Sequence, residues 1–211
     1  MKKKMTAISK LIILTASSLL LASCMTISEL GEQTSLSIDR NVSLNKIKVI
    51  VFPITSQTNS SFNNTLLDAQ FITIWEKNIG KENVIPASYL SLKENANARA
   101  ALDIIYQSIK ENKPSKIKGT VAESFISDIS SKYGHYPIAF AMISADKDFY
   151  DLNGNITTQM GLLNPNNYSW KWIAERKFKN NLLIVSFEDA VLQSIKSSVS
   201  DLKKDNDDKL Y

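Results

Sequence analysis

The sequence predicts a single layered α/β domain in which helices cover a mixed sheet. Three observations predict it. In the first half, short apolar runs closed by proline alternate with stretches of helical periodicity. In the second half, strand-length segments follow one another, with Asn-Gly and Asn-Pro turn signals between them. A last amphipathic segment opens on a helix-capping pattern. The predicted order is β-α-β-α, then four largely antiparallel strands, then a C-terminal helix that packs on the sheet.

Before the domain comes an export signal. Met1-Lys2-Lys3-Lys4 and Lys10 precede the apolar run Leu11–Leu21, and small residues follow. A basic start, a short apolar core and small residues before a cut site make a secretory signal peptide over residues 1–23. Only 13 residues separate Lys10 from Cys24. At about 1.5 Å per residue these make roughly 20 Å of helix, short of the ~30 Å needed to cross a bilayer.

Leu21-Ala22-Ser23-Cys24 resembles the lipobox of bacterial lipoproteins at every position. The resemblance implies cleavage between Ser23 and Cys24, a diacylglycerol thioether on Cys24, and acylation of its amine. Several acyl chains anchor stably where one chain binds only marginally. Met25 follows the cysteine. By resemblance, the absence of Asp there points to the inner leaflet of the outer membrane, with the protein facing the periplasm.

Four of the 25 basic residues and none of the 21 acidic ones lie before Cys24, so the processed chain carries 21 of each. The basic character of the precursor belongs to its export signal, and nothing in it indicates nucleic-acid binding. Cys24 is the only cysteine. Once it is lipidated, no disulfide, cysteine nucleophile or thiolate metal site remains.

Residues 24–45 are polar and aperiodic and read as a tether, with a mean reach of roughly 25 Å for about twenty residues of coil. The globular domain is expected over 46–203. Lys46–Pro53 is its first strand, apolar on both faces at Val49–Phe52 and ended by Pro53. Thr55–Asn64 reads as a Ser/Thr/Asn loop. Leu66–Gly80 is the first helix, with Leu67, Phe71, Ile74 and Trp75 at helical spacing and Gly80 as its C-terminal stop. Asn83–Pro86 is a second strand. Ala98–Asn112 is the second helix, with Asn97 as N-cap and Ala101, Ile104, Ile105 and Ile109 on one face.

Lys116–Ile126 then reads as a strand, with Ile117, Val121 and Phe125 on one face. Glu123 shares that face, either at a sheet edge or as a functional carboxylate. Tyr136–Ala145 is a central strand, apolar on both faces. Asn153-Gly154 is a hairpin turn leading into Ile156–Leu163. After Asn164–Asn167 comes Tyr168–Phe178. Its alternation puts Tyr168, Trp170, Trp172, Ala174, Arg176 and Phe178 on one face, as core, as a ligand platform, or as an aromatic belt at a membrane surface. Ser186-Phe187-Glu188-Asp189 opens the last helix with a capping-box-like arrangement. Its stripe is Phe187, Val191, Ile195, Val199 and Leu202. Residues 204–211 form a charged tail.

The chain offers little chemistry. Its only histidine, His135, lies in the loop Lys132–Tyr136 and could face Asp128 or Ser131, but no nucleophile-elbow pattern accompanies it. Asp146, Asp148 and Asp151 gather oxygens as a calcium loop does, yet depart from the spacing of that motif. No glycine-rich phosphate loop occurs. The expectation is a non-enzyme with no metal and no cofactor. Tyr133, His135 and Tyr136 are the candidate partner-binding residues.

Phe52-Pro53, the following Ser/Asn-rich loop and helix, Asn83-Val84-Ile85-Pro86, Lys118-Gly119-Thr120-Val121, Asp151–Ile156 and Trp170-Lys171-Trp172 together resemble the curli-secretion-type lipoprotein domain over roughly residues 45–203. Its relatives include outer-membrane activators of bifunctional penicillin-binding proteins. The resemblance implies a periplasmic adaptor or activator of another envelope protein, such as a peptidoglycan synthase, working through a sheet edge or the Tyr133–Tyr136 loop. An auxiliary lipoprotein of a lipid or solute transporter, with an apolar groove, is the alternative; a homo-oligomeric secretion or surface-organelle component is the third reading. Lys171, Glu175, Arg176 and Lys177 are too many charges for a lipid-facing β-ladder, which argues against a channel.

Overall fold

In the computed structural model, strands β1 (Val49–Val51), β3 (Val84–Pro86), β4 (Ile138–Ala145), β5 (Asn155–Asn164) and β6 (Ser169–Lys179) form a mixed sheet in the order β3-β1-β4-β5-β6, with β1 one strand in from the edge. The structure describes residues 44, 47–56, 64–88, 97–145, 155–179 and 186–207. Parallel pairing joins β1 to β3 (Val84–Pro86) on one side and to β4 (Ile138–Ala145) on the other. A two-residue strand, β2 (Thr55–Ser56), extends β1's line along β4, where the sequence suggested only loop. β4, β5 (Asn155–Asn164) and β6 (Ser169–Lys179) then form an antiparallel meander. The Asn153-Gly154 turn falls between β4 and β5, outside the described residues.

Two helices cover each face, so the domain has three layers. On one face α1 (Asn64–Ile79) and α4 (Phe187–Asp207) pack Leu67, Phe71, Trp75, Val191, Ile195 and Val199 over Val49, Val51, Ala141 and Leu162. Leu44 is already buried in this core. On the other face α2 (Ala98–Glu111) and α3 (Val121–Tyr133) pack Ala101, Ile105, Phe125, Ile126 and Ile129 over Ile50, Phe52 and Phe140. β1 and β4 are therefore covered on both faces, which explains their unbroken apolar runs.

Helix ends follow local chemistry. Gly80 (φ 90°) stops α1, and its N–H donates to Glu76 O at 2.9 Å. Asn112 takes the left-handed conformation after α2. Ser186 Oγ accepts the Asp189 N–H at 3.1 Å and donates to the Asp189 carboxylate, the capping arrangement expected for α4.

Two further sequence expectations are corrected. Lys116–Ile126 is not a strand: after a short 3-10 turn at Pro114–Lys116, the chain enters α3. Thr120 caps it, its Oγ1 accepting the Ala122 N–H at 3.2 Å. Glu123 is part of the same device, accepting the Gly119 N–H at 2.6 Å, and is not a sheet-edge group. Val121 and Phe125 stand four apart, a spacing that suits one face of a strand and one face of a helix equally.

The second correction concerns β6. A bulge at Lys171 pairs Trp172 with Leu162 and Trp170 with Leu163. Two residues then face one, and alternation shifts by a residue. Trp170 and Ile173 go to the α2–α3 core, while Trp172, Ala174 and Phe178 go to the α1–α4 core. The expected single aromatic face is thus split between both cores. Trp170 donates from Nε1 to the buried Ser108 Oγ at 2.9 Å and lies across Gly161, where a Cβ would come within 2.6 Å of its ring. We expect Gly161→Ala to cost about 1–3 kcal/mol by overpacking, read as a lowered midpoint in urea denaturation; an unchanged midpoint would show that Trp170 can move aside freely.

Candidate functional site

Several of the described polar side chains tie one element to another. Arg176, almost fully buried, points from β6 toward α4, donating from Nε to Ser198 Oγ at 3.0 Å and from Nη2 to the Asp201 carboxylate. Tyr106 donates to Ala141 O at 3.1 Å and meets Thr55 Oγ1, tying α2 to β4 and β2. Gln159 donates to Glu175 across β5 and β6 at 2.8 Å.

The predicted partner loop divides. Tyr133 ends α3 half-buried, and its hydroxyl accepts the Ser88 N–H at 2.9 Å. It is a structural strut. His135 and Tyr136 are exposed, and Tyr136 retains 37% of its surface, one of two large exposed apolar side chains among the described residues. Gly134 (φ 101°) lets the chain turn there, and a Cβ on it would approach the Tyr136 ring within 2.7 Å. Lys48 Nζ stands 5.7 Å from the centre of that ring. Asp146, Asp148 and Asp151, and Cys24 with its lipobox, lie outside the described residues. Among the described residues no group of three or more His, Cys, Asp or Glu is placed to hold a metal ion, and no helix is long and apolar enough to cross a membrane.

Three surfaces stand out. The first is the outer edge of β6, an 11-residue strand with no strand neighbour on that side among the described residues. Its opposite-face side chains carry alternating charge, Glu175 and Lys177 lying 3.6 Å apart. The edge at β3 is three residues long. The second is a groove of about 440 Å³ between α1 and α4, lined by Gln70, Thr73, Ile74, Lys77, Asn78, Lys196 and Ser200. Its lining mixes apolar surface at Ile74 and along the lysine stems with amide, hydroxyl and two ammonium groups.

The third surface is the end of the sheet where the chain enters β1. Ile50 pairs with Ile138, Ile138 with Leu163, and Leu163 with Trp170, so the starts of β1, β4 and β6 lie at one end. The α2–α3 connection, Lys110–Lys118, reaches the same end through the Ser108–Trp170 bond. Lys116 and Lys113 hold the exposed Glu111 carboxyl below its ordinary range by hydrogen bonding to it. Burial, and then the neighbouring Glu123 carboxylate, push the Tyr168 hydroxyl upward. Neither the polarity of the groove nor this charge clustering was readable along the chain, because each depends on residues from separate elements.

No family model matches the sequence, and no curated protein matches it. Among solved structures, the chain is similar to the PelC dodecamer from Paraburkholderia phytofirmans, at 11% identity over 82% of this chain and 98% of that one, with a TM-score of 0.49. A point variant of the same protein gives 11% identity over the same shares and a TM-score of 0.46. Lipoprotein GNA1162 from Neisseria meningitidis gives 12% identity over 74% of this chain and 94% of that one, with a TM-score of 0.36.

Proposed function

We propose that this protein is a lipid-anchored adaptor of the bacterial envelope, held by acylated Cys24 on the periplasmic face of the outer membrane, with a binding rather than a catalytic role. The observation that carries the anchor is Leu21-Ala22-Ser23-Cys24 after a short basic and apolar leader, with no other cysteine in the chain. The partner surface is the outer edge of β6. A long edge offers a row of backbone donors and acceptors to an extended segment of another protein, and Lys171 and Lys177 supply charge that sets which segment fits. The partner is an envelope protein that comes close to the membrane, because the tether is short.

Two variants test this. Cys24→Ala is expected to abolish palmitate labelling; persistent labelling would refute the anchor. Lys171→Glu combined with Lys177→Glu is expected to leave labelling intact but lose the envelope protein that co-purifies with the wild type. An unchanged set of co-purifying proteins would refute the β6 edge as the binding surface.

A further inference from the structure

The processed chain is formally neutral, yet its charge is not evenly spread. Six exposed lysines, Lys48, Lys110, Lys113, Lys116, Lys118 and Lys132, come from three separate segments that the topology gathers at one end of the sheet. Lys48 precedes β1. Lys110–Lys118 link α2, pinned by Ser108 to Trp170 at the start of β6, to α3, whose first turn lies beside Tyr168. Lys132 sits in the last turn of α3, just before the loop into β4, where Pro137 O accepts the Ile50 N–H at 2.8 Å. The acidic groups in these segments are Glu111, already paired with Lys113 and Lys116, Glu123, which accepts the Gly119 N–H, and Asp128. The turn before β3 brings one further charge of each sign to this end, Lys81 and Glu82, because Val84 pairs with Val49, so lysines still exceed carboxylates here by three. Tyr136 projects from the same end beside Lys48.

This basic end is also where the chain from Cys24 arrives. Leu44 is buried in the body, so residues 25–43 are all that separates it from the anchor. An unstructured chain of that length has a mean reach of roughly 25 Å, only about three times the ~8 Å screening length at physiological salt. We propose that the lysine-rich end docks on the anionic headgroup surface of the membrane that holds Cys24, with Tyr136 at headgroup depth. The inference rests on the lipid anchor proposed above. Clustered lysines are attracted to an anionic leaflet, and tyrosine partitions to the membrane–water boundary. Docking would fix the orientation of the body and hold the β6 edge perpendicular to the membrane plane, since the strands run away from the docked end.

Acylation of Cys24 leaves the intact chain without a free thiol, so one introduced cysteine can be labelled alone. Wild-type lipidated protein carrying His135→Cys or, as control, Asp103→Cys on the exposed side of α2, is spin-labelled and reconstituted in vesicles of phosphatidylcholine alone or mixed with phosphatidylglycerol. Accessibility to a water-soluble nickel chelate is then measured by power saturation, and flotation reports the anchor separately. With phosphatidylglycerol, the label at position 135 is expected to be shielded at least about threefold relative to that at position 103, with the shielding lost at high salt. Adding Lys110→Glu, Lys113→Glu and Lys118→Glu should abolish shielding while flotation persists. Protein that floats with both labels equally accessible overturns the docking but leaves the anchor standing. Equal shielding on neutral and anionic vesicles overturns the electrostatic basis. Protein that fails to float overturns both readings.

Discussion

Phe52→Ala is expected to be among the most destabilising single substitutions in this chain, at about 3–5 kcal/mol. Phe52 follows β1 and is fully buried. Its ring meets Phe125 of α3 edge-on at 5.6 Å and Phe140 of β4 at 5.4 Å. Truncation would leave a hole where the sheet meets α3, and neither neighbour can collapse into it without leaving its own place. The loss compares with a total stability of about 5–15 kcal/mol for an ordinary domain. Chemical denaturation followed by tryptophan fluorescence checks it. A cost under about 1 kcal/mol would mean that the α2–α3 layer can slide to fill the gap, and that it is far less fixed than its packing indicates.

The second large effect concerns Arg176. Its side chain is 6% exposed and that of Asp201 is 48% exposed. Asp201→Ala takes the carboxylate from a buried guanidinium, whereas Arg176→Met removes the charge and keeps the volume. Losing one partner of a buried pair costs about 3–5 kcal/mol, and replacing the charge by apolar volume is often close to neutral. Because Asp201 is half-exposed and Ser198 still accepts from Arg176, we expect about 2–3 kcal/mol for Asp201→Ala, and a smaller loss for Arg176→Met. The order of the two is the test. If Arg176→Met proves the more damaging, the pair contributes attraction beyond compensating its own burial, and the docking of α4 on β6 is electrostatic in origin.

The parts of the fold that were legible from sequence are those governed by neighbours along the chain. Val49–Phe52 and Ile138–Ile143 announce buried strands because both faces are apolar, and burial on both faces is what the three layers impose. Phe187, Val191, Ile195 and Val199 announce α4 because its stripe runs for three turns. The third helix was hidden because a spacing of four satisfies both periods at Ile117, Val121 and Phe125. The adjacent apolar pair Phe125-Ile126 and the step of three from Ile126 to Ile129 separate the two readings, since one face of a helix holds all three residues and one face of a strand does not. The split of Trp170 and Trp172 was hidden because a bulge has no signature of its own in the alternating pattern. The candidate surfaces were least legible. An edge strand is defined by what does not pair with it, and the lysine cluster is assembled from segments up to 84 residues apart in the chain, from Lys48 to Lys132.

The parallel placement of β1 between β3 and β4 governs when the domain can close. β1's pairing with β4 joins Ile50 to Ile138, 88 residues downstream, whereas β4 and β5 each pair with the strand that follows. Contacts between distant positions carry a loop-closure cost that adjacent strands escape. A chain emerging from its N-terminus therefore presents Val49–Phe52, its most apolar strand, long before the meander that will shelter it exists. The local part of the sheet serves as the template, and the first strand made is the one that must wait to be enclosed.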